Sequence, residues 1–314
     1  MARQFRLKTR LAGVFCVCLL GTALAGCSPP NGASPPVIAT TGMIADAARV
    51  IGHPHLTVHA LMGPGVDPHQ YKPSAGDLHR MQSAKLVLYN GLHLEGKMGE
   101  VFEQMGKRTK TVAITHRMDA QRDLRPAAEG YEGTHDPHVW FDVSLWMKAV
   151  EAVRDALVEI DPAHAAEFKT NADAYLKELA ALHVEVKAKA EKVPADRRVL
   201  ITAHDAFFYF GRAYGFEVRG LQGISTASEP STRDVQDLAK LIGTRKVPAI
   251  FGETSVPDRN IQAVVDAVRT GYGFDVRFVG EKLFSDALGS PNTPAGTYVG
   301  MVRHNIDTIV GAMK

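Results

Sequence analysis

Along the chain, short runs rich in β-branched and aromatic residues alternate with longer stretches whose apolar positions recur every three or four residues. The short runs are VIATT (37–41), LTVHALM (56–62), KLVLYNG (85–91) and TVAIT (111–115), then RVLIT (198–202), FEVRGL (216–221), PAIFGET (248–254) and VRFVGE (276–281). Runs of this length and composition predict strands, and strands alternating with helices argue for parallel sheets with helices on their faces. The expected fold class is therefore α/β: two similar four-stranded, mainly parallel sheet domains. A weak echo between VIATTGMIADAARVIG (37–52) and VLITAHDAFFYFGRAYG (199–215) points the same way, toward internal duplication. No short repeat implies a solenoid.

Between the halves, Phe168, Ala172, Tyr175, Leu179, Leu182, Val186 and Ala190 recur at spacings of three and four. Asp161 is placed to cap this stretch, Pro162 suits a first helical position and Pro194 stops it. The pattern predicts one rigid helix of about 30 residues, or roughly 45 Å, long enough to join two domains. A coiled-coil dimer is the competing explanation, weakened by the small residues that interrupt the stripe. The expected organisation is a domain at 37–160, a connecting helix at 161–193 and a second domain at 194–314.

The N-terminus departs from this pattern. MARQFRLKTR is basic without an acid and precedes the apolar run LAGVFCVCLLGTALAGC. That is the form of a secretory signal, and the run is short for a membrane span. Leu24-Ala25-Gly26-Cys27 resembles a bacterial lipobox, so residues 1–26 are expected to be a lipoprotein signal peptide and Cys27 the lipidated residue. SPPNGASPP after it reads as a Pro/Ser-rich tether over 27–36.

Composition and charge narrow the functional classes. With 45% hydrophobic and 22% charged residues, the 314-residue chain is neither disordered nor fibrous. Four of its 36 basic residues lie in the signal, leaving 32 against 34 acidic ones, so the basic balance is a targeting feature and no nucleic-acid partner follows. Cys16 and Cys18 also lie in the signal. The remaining chain has Cys27 alone, which excludes an intramolecular disulfide and any thiolate metal site. A bound metal would have to use His, Asp or Glu.

Most of the 13 histidines read as solvated or structural. His55 and His59 are expected to alternate along a strand with Thr57; His164 and His183 fall on the long helix; His53, His79, His116 and His304 have no partner pattern. Three others, and one carboxylate, lie beyond predicted strands. His69 is in GPGVDPHQYKPS, where Ser74 and Asp77 resemble a capping pair. His138 is in THDPHVWFD, His204 ends RVLITAH, and Asp286 follows VRFVGEKLFSD. Ligands of α/β folds bind beyond the carboxyl ends of strands, so these four are candidates to converge on a divalent transition metal. His135 rivals His138, and Glu253 rivals Asp286. GLHLEGKM (91–98) has the Gly-x4-Gly-Lys spacing of a phosphate loop, but Met98 stands where Ser or Thr is required, so nucleotide binding is not expected.

Several long motifs occurring in order carry a family resemblance: GPGVDPHQYKPSAGDLHRM, NGLHLEGKM, HDPHVWFDV, ITAHDAFFYFGRAYGFEVRGLQGISTASEPS and LFSDALGSPNTPAGTYVGMVRHNIDTIV. From residue 37 to the end the chain resembles the cluster A-I solute-binding proteins of zinc and manganese ABC transporters, in particular their TroA-like branch. The resemblance implies two α/β domains joined by a rigid helix, with metal at their interface held by His69, His138, His204 and Asp286. It implies a monomeric, lipid-anchored extracytoplasmic protein, on the periplasmic side in a Gram-negative cell. Its partner would be an ABC permease with a cytoplasmic ATPase. Manganese-type relatives commonly have Glu where His204 stands. Zinc-specific ones often lack the final Asp and carry a long His-rich loop, whereas residues 116–135 here contain only His116 and His135. The implied cargo is zinc and manganese, with iron within the same range. The opposing classes are a metal-dependent hydrolase, with Glu253 as base, and a metal-binding surface adhesin.

Overall fold

All eight predicted strands are present in the computed structural model, which describes residues 36–128 and 130–314. The expected signal, Cys27 and all of the tether except Pro36 lie outside the described residues. Among the described residues no helix is long and apolar enough to cross a membrane.

The first half runs β1 (Val37–Ala39), α1 (Gly42–Gly52), β2 (Val58–Ala60), α2 (Ala75–Ser83), β3 (Leu86–Tyr89), α3 (Gly99–Met105) and β4 (Lys110–Ala113). Its strands form one parallel sheet in the order β2-β1-β3-β4. β1 is buried at every position, as a central parallel strand covered on both faces should be. The second half repeats the alternation: β5 (Val199–His204), α6 (Phe208–Tyr214), β6 (Glu217–Gln222), α7 (Thr232–Arg245), β7 (Ala249–Glu253), α8 (Arg259–Tyr272) and β8 (Arg277–Leu283). β5 pairs with β6, β7 pairs with β8, and β5 packs beside β7. The spatial order β6-β5-β7-β8 is thus that of the first half.

The second half is two parallel pairs rather than one continuous four-stranded ladder. The β7–β8 register shifts between Phe251 and Glu253, and the His204 amide donates to the Glu253 carboxylate instead of to a strand carbonyl. The duplication extends to the capping of helices. Ser74 and Asp77 form a reciprocal capping box at α2, and Ser231 and Asp234 form the same box at α7.

The halves are joined by α4 (Val143–Ile160) and α5 (Ala165–Ala190), and the chain closes with α9 (Tyr298–Met313). α5 has 26 residues, about 39 Å at the usual helical rise. It is shorter than expected because Pro162–His164 form a separate 3-10 turn, in which the Asp161 carboxylate accepts from the His164 ring rather than capping the backbone. The buried face of α5 consists of the same seven residues as the predicted stripe. It packs against α1, α4, α6 and α9 within the chain. One apolar core containing that stripe reaches from β1 and α1 to β7 and α9. His55 also departs from expectation: the chain turns after Gly52 through hydrogen bonds to its carbonyl, so His55 precedes β2. Its ring stacks on His164 at 3.7 Å, and its Nε2 lies 2.8 Å from Glu167.

The stripe gives a direct stability test. Leu179→Ala, at a fully buried position, is expected to cost about 2–5 kcal/mol in urea unfolding. Val184→Ala, on the opposite face at 66% exposure, should change stability by less than about 0.5 kcal/mol.

Candidate metal centre

His69 follows β2, His138 lies in the long connection after β4, His204 is the last residue of β5, and Asp286 follows β8. Each half therefore contributes two side chains from the carboxyl ends of its strands. All four are buried, and one donor atom from each lies within 4.8 Å of the others. His69 Nε2 is 3.2 Å from His138 Nε2. Asp286 Oδ2 is 3.2 Å from His204 Nε2 and 4.0 Å from His69 Nε2, while Oδ1 is 3.6 Å from His138 Nε2. Donors bound tetrahedrally at about 2.0–2.1 Å stand about 3.3–3.4 Å apart, so the cluster has the span of a single coordination shell.

Carboxylates on the far side of the rings fix which nitrogen faces inward. Asp136 Oδ1 accepts from the His138 amide at 3.0 Å and from its Nδ1 at 2.8 Å. Glu253 accepts from the His204 amide at 2.9 Å and from its Nδ1 at 2.5 Å. A carboxylate offers no proton, so each Nδ1 carries its own and each Nε2 is left for the cluster. Asp67 Oδ1 accepts from the His69 amide at 2.9 Å, and Asp67 Oδ2 accepts from Thr226 of the second half.

Gly220 makes the His204 end possible. A Cβ there would stand 2.4 Å from the His204 carbonyl carbon and the Asp205 amide, so β6 approaches β5 this closely only without a side chain. Asp286 is held from the first half, where Trp140 Nε1 donates to the Ser285 carbonyl at 2.9 Å. The same indole stands edge-on to His138. Tyr209, from the aromatic run after His204, donates to the Asp136 carbonyl at 2.8 Å and so ties the support of one histidine to the helix after another.

The charge pattern is that of a cation site. Among the described residues, His204 Nε2 and both Asp286 oxygens are buried without a hydrogen-bond partner, three such atoms at one point. Leaving such atoms unpaired costs about 1–3 kcal/mol each. Burial pushes the His69 imidazole down to about 3, with Asp286 opposing and His138 and His204 reinforcing the shift, so His69 is neutral at ordinary pH. Burial would also push His204 down, but Glu253 and then Asp286 raise it well above the ordinary histidine value. Burial alone would raise Asp286, yet the facing imidazoles, His204 first, hold it below the usual carboxylate range.

Both rival ligands are outside the cluster. Glu253 lies behind His204 as its hydrogen-bond acceptor. His135 is in a bridge with Pro126, its ring turned to Thr134 Oγ1. Sequence reading overlooked Asp67 and Asp136, although a signal was available: Asp-Pro-His occurs at 67–69 and again at 136–138. In both copies the aspartate accepts the histidine amide two residues on, a local Asx turn.

Comparison with known proteins shows the family. The family model described as "ZnuA: Zinc-uptake complex component A periplasmic" matches residues 37–312. "Zinc-binding protein TroA" of Treponema pallidum (strain Nichols) is 51% identical over 279 residues, 89% of each chain. "Manganese-binding lipoprotein MntA" of Bacillus subtilis (strain 168) is 44% identical over 312 residues, 99% of this chain and 100% of that one. The solved structure of the periplasmic zinc-binding protein TroA from Treponema pallidum superposes with a TM-score of 0.85 at 51% identity, covering 89% of this chain and 99% of that one.

The contact between Glu253 and His204 can be tested without metal. In chelator-treated protein, the His204 ring is expected to titrate above the ordinary histidine range by NMR, and Glu253→Gln to bring that titration down. A His204 that titrates normally in both proteins would contradict the assigned contact.

Proposed function

We propose, on the premise that the chain belongs to the family of periplasmic zinc-uptake component A, that it captures a divalent transition metal and delivers it to an ABC import permease. The observation carrying this reading is the convergence of His69, His138, His204 and Asp286 from four strand ends into one buried cluster. Three neutral imidazoles and a carboxylate form a borderline donor set that suits zinc and accepts manganese. Zinc binds such donors more tightly than manganese whatever the transporter delivers. Dual zinc and manganese capture is the reading favoured by a site that combines His204 with Asp286, and relatives whose names specify each metal are similar to this chain.

The arrangement suits capture rather than turnover. A catalytic metal keeps a coordination position open for water or substrate, whereas four protein donors fill a tetrahedral shell. Glu253, the candidate base of a hydrolase, is engaged by the His204 amide and ring. In this reading residues 37–160 and 194–314 act as two lobes about the connecting segment 161–193. The core shared between the halves favours modest rocking over wide hinge opening. Release then proceeds through movement of Asp286 and the second-half loops away from His69 and His138. Lipidation at Cys27 would hold the protein on the extracytoplasmic side of the membrane, next to a permease with its cytoplasmic ATPase, as expected of a lipoprotein.

Equilibrium titration with zinc and manganese tests the ligand set. The wild-type chain should bind one ion, and His204→Ala or Asp286→Ala should lose more than the roughly 10–100-fold typical of removing an outer-shell partner. Retention of near-wild-type affinity in both variants would contradict the assignment. The pH dependence has a definite sign. His204 is raised by its carboxylates and must shed its Nε2 proton to the metal, so affinity should rise as pH rises through neutrality. Metal binding should release protons, read by calorimetry in buffers of different ionisation enthalpy.

A further inference from the structure

A second pair of metal-capable side chains lies at the rim of the centre: His93, in the segment that mimics a phosphate loop, and Glu132, from the connection after β4. A cavity of about 110 Å³ is lined by His69, His93, Lys97, Tyr131, Glu132 and Ser228, among others, and of the four site residues only His69 reaches it. An ion arriving by this cavity therefore meets His69 first. The His93 and Glu132 side chains are 35% and 86% exposed, whereas that of His69 is 1% exposed, so the cavity leads from solvent to the buried cluster.

His93 Nε2 stands 3.1 Å from Glu132 Oε2. Two donors bound at about 2.0–2.2 Å and a right angle stand about 3 Å apart, so the pair has the bite of adjacent ligands on one cation. The loop holds this imidazole at a conformational cost. Leu92 and His93 both have positive φ, 54° and 65°, which costs a residue with a side chain about 1–2 kcal/mol. The Tyr131 hydroxyl donates to the Leu92 carbonyl at 2.9 Å, and its ring stands edge-on to His93. Two glycines let the chain pack closely here: a Cβ at Gly133 would lie 2.4 Å from the Tyr131 ring and 2.9 Å from His93 Cβ, and one at Gly96 would lie 2.8 Å from His93 Nε2.

We propose that His93 and Glu132 form a transit site that takes a divalent cation from solvent, holds it while water completes its shell, and passes it inward to His69. Two ligands and solvent make this a weak stop. Lys97, lining the same cavity, repels a resident cation and keeps the stop short. The proposal rests on the capture function argued above, and the following experiment separates the two.

Stopped-flow binding of Mn²⁺ and of Zn²⁺ to the full chain is compared for wild type, His93→Asn and Glu132→Gln. Asn tolerates positive φ, and Glu132 is largely exposed, so both variants retain the fold. Removing a transit site raises the barrier in both directions. kon and koff are expected to fall together by about 5–10-fold in each variant, with Kd moving less than about three-fold. Unchanged rates overturn the transit site. A lower kon with unchanged koff marks long-range attraction alone, and a raised koff with unchanged kon marks loss of support for the inner cluster; either result also overturns it. If the wild-type chain itself fails to bind one ion, the capture function fails instead.

Discussion

Three imidazole nitrogens and a carboxylate share a space from which water is excluded, and each directs electron density at the others. Arranged without a cation or proton between them, such groups repel, and the repulsion is strengthened by the low dielectric around them. The surrounding chain opposes this through contacts behind the donors. Asp136 and Glu253 each grip one histidine at two points, its amide and its Nδ1. Asp67 grips the third by its amide. Asp286 is placed through the Ser285 carbonyl, held by Trp140 from the other half. The donors are thereby oriented before the ion arrives, which is the condition for tight and selective capture.

The fold meets this requirement by repetition. Parallel strands bring their carboxyl ends to one edge of a sheet, and two such arrays in the same spatial order supply two ligands each. Mutual position then becomes the critical variable, because a shift of an ångström between the arrays would spread the donors beyond one coordination shell. The α5 stripe and the packing of α9 against α1 and α5 place elements of both halves in one core. Several side-chain hydrogen bonds cross near the cluster itself, from Tyr209 to Asp136, Thr226 to Asp67 and Arg125 to Asp205.

What was legible in sequence follows from how local each cause is. The eight strands and the seven buried positions of α5 depend on periodicity along the chain, which a linear reading contains. The four donors were accessible because strand ends are predictable and α/β ligands gather there. Two other features depend on proximity in space. Glu253 rivals Asp286 as a ligand on sequence grounds, but only the folded chain puts His204 between it and Asp286, making it a support rather than a ligand. The same contact interrupts the expected second sheet, since the His204 amide goes to a side chain. Asp67 and Asp136 are a different kind of omission. Their causes are local, and the repeated Asp-Pro-His announces them. At His55, alternation with Thr57 and His59 mimics a strand where the chain turns.

The proposed resting place of the ion is the cluster of His69, His138, His204 and Asp286. Anomalous diffraction from crystals grown with manganese or zinc tests it most directly. The account predicts a single strong peak about 2.0–2.2 Å from Nε2 of His69, His138 and His204 and from an Asp286 oxygen, with Glu253 still on His204 Nδ1. A peak coordinated by Glu253 or His135, or the absence of any peak within the cluster at saturating metal, would contradict it.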